Sequence, residues 1–166
     1  MMALRRACWG AARRFSAASA PLPLSRLDHV CVVCSDVGAS LNWYKNVLDF
    51  EHAYACEADY GVDPAIVIGP GAGTPAVALL PLADGAKPIR YHNGAHFALR
   101  CDTRADFDRV RAELPGRLAK HQSHAKQSLD VDEQDYGLQL CLFFDDPDGN
   151  IVEVTTWIER DEPRRL

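Results

Sequence analysis

Hydrophobic and polar positions alternate along the chain in two different ways, and together they predict a mixed fold of helices and strands. Residues 27–34, LDHVCVVC, are short, apolar and β-branched, which is typical of a strand. Asp36 then offers an N-cap, and apolar side chains follow at helical spacing from Val37 to Leu48. Three further strands are predicted after this helix, at 50–56, 65–68 and 76–82.

The same order of elements begins again after a polar link, ADGAKPIRYHNG. A strand is predicted at 95–102, and Thr103 can cap a helix that ends before a long polar stretch, 115–137. The segments 138–144 and 150–157 are predicted strands, joined by the strong turn signal DDPDG.

The chain thus contains a β-α-β-β-β unit written twice, and the two copies match in position. His29 and His96 are 67 residues apart, and so are Cys34 and Cys101. Since each open sheet would leave an apolar face uncovered, we expect two βαβββ modules to pack together in an α+β fold. The predicted domain covers 21–158, with module 1 at about 26–83, module 2 at about 94–158 and a polar C-terminal tail at 159–166.

The first 20 residues differ from the rest, because they contain four arginines and no acidic residue. An Arg-rich, acid-free segment with spaced apolar residues is typical of a mitochondrial transit peptide, so residues 1–20 are predicted to be one and the mitochondrial matrix is the expected location. A basic tail without an addressing role is the alternative interpretation.

The net charge and the length of the apolar runs indicate which kinds of binding partner are not expected. Without those four arginines, 14 basic and 23 acidic residues remain, a formal net charge of −9. A domain this acidic is not expected to bind nucleic acid or an anionic membrane surface. No apolar run approaches the roughly 18 residues that a membrane span needs.

The pair Cys31 and Cys34 invites a zinc or redox interpretation, which strand geometry opposes. Side chains on a strand alternate faces, so two residues three apart point to opposite sides. Both cysteines are therefore expected to be small buried hydrophobic residues. The strand has apolar residues on both faces and is expected to be covered on both sides.

Three polar side chains interrupt otherwise apolar strands: His29, His96 and Glu153. A lone carboxylate in such a run is seldom buried unless it is paired or bound to a metal. Two histidines and one carboxylate match a 2-His-1-carboxylate metal site with open positions.

Three segments, LDHVCVVCSDVGASLNWYKNVLDF, GAHFALRCD and LFFDDPDGNIVEVTTW, resemble the vicinal oxygen chelate superfamily, which includes glyoxalase I and extradiol dioxygenases. This resemblance implies two modules forming a cupped mixed β-sheet around one divalent metal ion, such as Fe(II), Mn(II) or Zn(II). His29, His96 and Glu153 fall where the family's ligands stand. It also implies a small-molecule substrate and a homodimer, with the site inside one chain or across a swapped dimer. The alternative is a metal-free binding cup of the bleomycin-resistance type.

Departures from the family patterns leave the reaction open between a lyase or isomerase and a dioxygenase. Glyoxalase I and methylmalonyl-CoA epimerase use a fourth protein ligand. The resemblance implies that Ala78 stands at the equivalent position in this chain, where it cannot bind a metal ion. Extradiol dioxygenases have a Tyr where this chain has Phe143, and a His earlier, near Tyr136. Fosfomycin-resistance transferases share the three-ligand arrangement.

Three further residues are candidates for substrate binding or catalysis. Arg100 lies two positions after His96 on the same strand face, where it could bind a carboxylate or phosphate. Gln139 shares a face with Cys141 and Phe143 and is a candidate for lining the cup. Tyr136 could act from the preceding loop.

Overall fold

The computed structural model describes residues 27–53, 65–69, 76–83 and 95–158. Both modules have the predicted order, so the α+β fold of two βαβββ modules is confirmed. The predicted transit peptide and the C-terminal tail lie outside the described residues. The elements are β1 (His29–Cys34), α1 (Val37–Leu48), β2 (Glu51–Ala53), β3 (Ala65–Ile68), β4 (Ala76–Pro81), β5 (His96–Arg100), α2 (Arg104–Lys120), β6 (Asp132–Asp135), β7 (Gln139–Asp145) and β8 (Ile151–Trp157).

Each module forms its own four-stranded sheet, in the orders β1-β4-β3-β2 and β5-β8-β7-β6. The pairs β1·β4 and β5·β8 are parallel, whereas the remaining pairs are antiparallel. The first strand of each module consequently lies at one edge of its sheet. His29 and His96 are therefore both the first residues of edge strands.

The helices begin where the sequence places their caps. The Asp36 carboxylate accepts a hydrogen bond from the Ala39 N–H at 2.9 Å, and the Thr103 hydroxyl accepts one from the Asp106 N–H at 3.1 Å. Such caps satisfy backbone donors that have no partner inside the helix. Helix α1 ends at Leu48, and its C-cap residue Asp49 has a left-handed φ of 55°, which stops the helix.

One hydrophobic core joins the two modules on the helix-bearing side of the sheets. Trp43 of α1 is 1% exposed, and its ring lies 5.0 Å from the ring of Tyr44 and 6.3 Å from that of Phe144 on β7. Since Trp43 belongs to module 1 and Phe144 to module 2, the modules share their apolar burial.

The turn between β7 and β8, residues 145–150, forms a polar connection to module 1. The Tyr44 hydroxyl donates to the buried Asp146 carboxylate at 3.0 Å, and the Ser35 N–H donates to Asp148 at 2.9 Å. The Asn150 amide donates to the Val33 carbonyl at 3.3 Å. Burial raises the pKa of Asp146 to about 6, although its hydrogen bonds act in the opposite direction.

The polar stretch 115–137 contains more structure than the sequence predicted. Helix α2 continues to Lys120 through Pro115 and Gly116, a pair that usually marks a helix end. Leu118, which is fully buried, anchors this last part of the helix to the core. Residues 132–135 add β6, an acidic edge strand without the alternation of polar and apolar residues that would have identified it.

The cysteine pair behaves as strand geometry requires, with one correction. Cys34 is fully buried on the helix side, while Cys31 is exposed, so the expectation that both are buried was wrong for Cys31. His29, Cys31 and Val33 form one face of β1, here termed the β1 face, and it is exposed in the single chain. The expectation that the strand is covered on both sides was therefore wrong: among the described elements of module 1, α1 packs against this sheet, and the β1 face stays exposed. Within the described residues, no helix is both long and apolar enough to cross a membrane.

Candidate functional site

The structure brings His96 and Glu153 into direct contact. Strands β5 and β8 run in parallel, and the His96 Nε2 atom lies 2.7 Å from Glu153 Oε2. The Glu153 side chain is 6% exposed and the His96 side chain 32%. A buried carboxylate is strongly disfavoured unless it is paired, and the imidazole provides that partner.

Gln139 holds the other oxygen of the same carboxylate. Its side-chain amide donates to Glu153 Oε1 at 3.3 Å and to Thr155 Oγ1 at 2.8 Å. The Thr155 hydroxyl in turn donates to the Leu140 carbonyl at 3.0 Å. Both oxygens of Glu153 are thus positioned by neighbouring side chains, which fixes the orientation of the carboxylate.

Cys141 and Phe143, which share a strand face with Gln139, also belong to this site. Cys141 Sγ lies 3.5 Å from Thr155 Oγ1, and burial, followed by the hydrogen bond to Glu153, raises its pKa to about 11. Cys141 is therefore a neutral thiol at physiological pH. The Phe143 ring meets the His96 ring edge to face, with centroids 5.5 Å apart. Strand alternation was the signal that could have assigned both residues to the site.

His29 lies on the first strand of the other sheet. Its ring Nδ1 is 2.8 Å from Asp28 Oδ2, and its side chain is 48% exposed. Among the described residues of a single chain, no group of three or more His, Cys, Asp or Glu side chains is arranged to hold a metal ion. The structure therefore unites two of the three expected ligands.

The other residues predicted to bind substrate lie at different distances from the His96–Glu153 pair. Gln139 touches the candidate site, whereas Tyr136 is 62% exposed in the turn that joins β6 to β7. Arg100 is exposed at the last position of β5, beside Thr155 in the sheet register. Ala78 is buried and leaves no fourth carboxylate at its position.

Three solved structures illustrate which proteins have a similar fold. The chain is 23% identical to a glyoxylase/bleomycin resistance protein/dioxygenase domain from Frankia sp. EAN1pec, with a TM-score of 0.58, covering 82% of this chain and 94% of that one. It is 18% identical to a glyoxalase/bleomycin resistance protein/dioxygenase from Nocardioides, with a TM-score of 0.55, covering 88% and 92%. The fosfomycin resistance protein FosX from Mesorhizobium loti is 22% identical, with a TM-score of 0.51, covering 81% and 94%. At these identities the similarity shows the fold alone.

Among curated protein sequences, none matches this chain. A family model does match, that of the Glyoxalase/Bleomycin resistance protein/Dioxygenase superfamily, over residues 26–154. This range includes both modules almost completely, together with His29, His96 and Glu153. Because the match covers well over half of the chain, the protein belongs to the glyoxalase/bleomycin resistance protein/dioxygenase, or vicinal oxygen chelate, superfamily.

Proposed function

We propose that the protein is a divalent-metal-dependent enzyme that acts on a small oxygen-chelating metabolite in mitochondria, with His29, His96 and Glu153 as the metal ligands. The observation that carries this proposal is the buried Glu153 carboxylate, 2.7 Å from His96 at the open edge of a sheet. The Arg-rich, acid-free residues 1–20 support the mitochondrial location.

The donor set fits a first-row divalent ion. Imidazole nitrogen and carboxylate oxygen suit Fe(II), Mn(II) and Zn(II), and the Gln139 amide gives Glu153 the outer support that metal-bound carboxylates usually have. Bound there, the ion would supply Lewis-acid chemistry to a chelating pair of substrate oxygens. Two neighbouring side chains would support these ligands: Phe143 packs against the His96 ring, and Cys141 stays a neutral thiol beside Glu153.

The third ligand is proposed to come from a second copy of the chain. The β1 face is exposed, and so is the face of β5 that contains His96, Ala98 and Arg100. Both strands are edges, and both faces adjoin expected ligands. A homodimer that covers the β1 face with the β5 face of another copy would bring His29 of one chain to His96 and Glu153 of the other.

Subunit complementation tests the ligand set and the dimer together. His29→Ala and Glu153→Ala are each expected to abolish stoichiometric metal binding, measured by elemental analysis of purified protein after reloading with Mn(II) or Zn(II). His121→Ala, which replaces the histidine that ends α2, is the matched control and is expected to retain the metal.

A heterodimer of His29→Ala and Glu153→Ala chains then separates the two arrangements. If the site forms across chains, one of its two sites has all three ligands, and half of the wild-type metal content returns. If the site forms within one chain, the heterodimer binds no metal. Full metal content in both single variants would refute the proposed ligand set.

The type of reaction follows from a second measurement. Oxygen uptake by the Fe(II)-loaded protein with catechols would indicate a dioxygenase. Turnover of 2-oxo compounds without oxygen uptake would indicate a lyase or isomerase.

A metal-free binding protein is the second candidate function, and one observation favours it. His96 and Glu153 already contact each other at 2.7 Å, which gives the buried carboxylate a partner without a metal ion. Absence of stoichiometric metal from the reloaded wild-type protein, with saturable binding of a small ligand, would select this function.

A further inference from the structure

A cleft of about 380 Å³ lies between the two helices, on the opposite face of the second sheet from Glu153. Its walls are residues 47–50 at the end of α1, residues 99–101 at the end of β5, Val154 of β8 and one side of α2. Because side chains alternate along β8, Val154 faces this cleft while Glu153 faces the other side.

Half of the residues that line the cleft are apolar, and its size suits a small ligand. Pockets that bind small molecules in proteins usually measure about 300 to 1,000 Å³ and are lined mainly by apolar side chains. The apolar residues in this lining are Val47, Leu48, Phe50, Leu99, Val110, Leu114 and Val154.

The charges of the lining do not cancel, because one arginine uses both acids. Arg117 Nη1 lies 2.6 Å from Asp49 Oδ2, and Arg117 Nη2 lies 3.0 Å from Glu113 Oε2. These two carboxylates raise the pKa of Arg117 and are themselves occupied. Asp49 and Glu113 are the acidic residues of the described lining, so neither is left to balance a second cation.

The lining contains two more arginines, Arg100 at the end of β5 and Arg109 on α2. Within the described residues, the ion-pair partner of Arg109 is Asp106 at 3.7 Å, outside the lining, and the other carboxylate oxygen of Asp106 accepts a hydrogen bond of 2.6 Å from Thr103. Arg109 lines the cleft, and its side chain is largely exposed. Among the described residues, this guanidinium at the rim of the cleft therefore has only a distant ion-pair partner.

We propose that this cleft binds a small organic anion with an apolar body, its anionic group on Arg109 and its body against Leu99, Val110 and Leu114. The guanidinium matches a carboxylate or sulfonate in charge and hydrogen-bonding geometry. The proposal does not depend on the metal centre, since its residues lie on the other side of the sheet.

The probe is 1-anilinonaphthalene-8-sulfonate, and its uncharged analogue N-phenyl-1-naphthylamine is the matched ligand. The sulfonate should bind the folded wild-type protein saturably, with fluorescence enhancement. Arg109→Gln should weaken its binding about fivefold, as expected for an exposed charge pair, while leaving binding of the uncharged analogue unchanged. Arg111→Gln is the control on the same helix, because Arg111 pairs with Glu133 and does not line the cleft.

A second measurement locates the probe. Cys101 lines the cleft and Cys31 lies on the β1 face, so alkylation by iodoacetamide, followed by peptide mass spectrometry, reports on both places at once. The sulfonate should slow alkylation of Cys101 and leave that of Cys31 unchanged. Equal affinity in Arg109→Gln, or a probe that protects Cys31 and not Cys101, would overturn the proposal.

Discussion

Gln139 and Glu153 lie on neighbouring antiparallel strands, and the Gln139 amide holds one carboxylate oxygen while His96 holds the other. Gln139 also donates to Thr155, so its own orientation is fixed by a second bond. The carboxylate therefore has a defined direction before any ligand arrives.

Gln139→Leu is expected to weaken metal binding about 10- to 100-fold, because loss of an outer hydrogen bond to a metal ligand typically has that effect. The measurement is competition with a chromophoric chelator at fixed pH. Gln122→Leu, in the exposed loop after α2, is the control and should bind the metal as the wild type does. Unchanged affinity in Gln139→Leu would remove Gln139 from the site.

Cys31 and Cys34 should differ in reactivity by orders of magnitude at pH 8. Cys31 is exposed, whereas Cys34 is fully buried and its pKa is raised to about 12 by burial. Of these two thiols, alkylation followed by mass spectrometry should modify Cys31 and leave Cys34 unmodified in the folded protein. In the proposed homodimer Cys31 is covered, so its alkylation should become faster on dilution to the monomer. A rate independent of protein concentration would contradict that dimer.

Stability should depend on pH through Asp146. Its pKa rises from 3.8 to about 6 on folding, so the folded chain binds this proton more tightly than the unfolded chain does. The resulting stabilisation is complete below pH 3.8 and is lost as the pH rises through about 6. Relative to Asp146→Asn, the wild-type free energy of unfolding should fall by about 2 to 3 kcal/mol between pH 4 and pH 7. Chemical denaturation at several pH values measures this, and a constant difference would refute it.

Trp43→Ala should destabilise both modules together, by about 3 to 5 kcal/mol, since it leaves a cavity where the modules share their core. Lys45→Ala, on the exposed side of the same helix, should change stability by less than about 0.5 kcal/mol. Far-ultraviolet circular dichroism and tryptophan fluorescence should give one coincident transition. Two separate transitions in the wild type would show that the modules fold independently.

The hydrophobic pattern predicted most of the fold because each half of the chain repeats it. The ends of β1, β3 and β4 lie within two residues of their predicted ends, and both helices begin at their predicted caps. The last turns of α2 and the strand β6 could not be predicted, because Pro115–Gly116 imitates a helix end and β6 is polar throughout. In both places contacts distant in sequence decide the structure.

Part of the candidate site could be predicted from the sequence, and part could not. The family resemblance implied that His96 and Glu153 lie in one site, and strand alternation made Gln139 a candidate for lining it; the structure brings these three together. Contact between strands of the two different sheets could not be predicted, because the sequence does not specify which sheet edges meet. The position of His29 relative to the other two therefore remains a prediction.

The two outer edges of the sheets have a consequence for aggregation. Edge strands with free backbone groups tend to recruit further strands, and charge or short length prevents it. Strand β6 contains Asp132, Glu133 and Asp135, and the described part of β2 begins with the exposed Glu51, so neither suits indefinite growth. The apolar strands β1 and β5 are left as the edges able to associate. With its outer edges protected in this way, the chain is expected to form closed dimers and not extended edge-to-edge assemblies. It should therefore resist fibre formation at concentrations where a sheet with unprotected edges would form fibres.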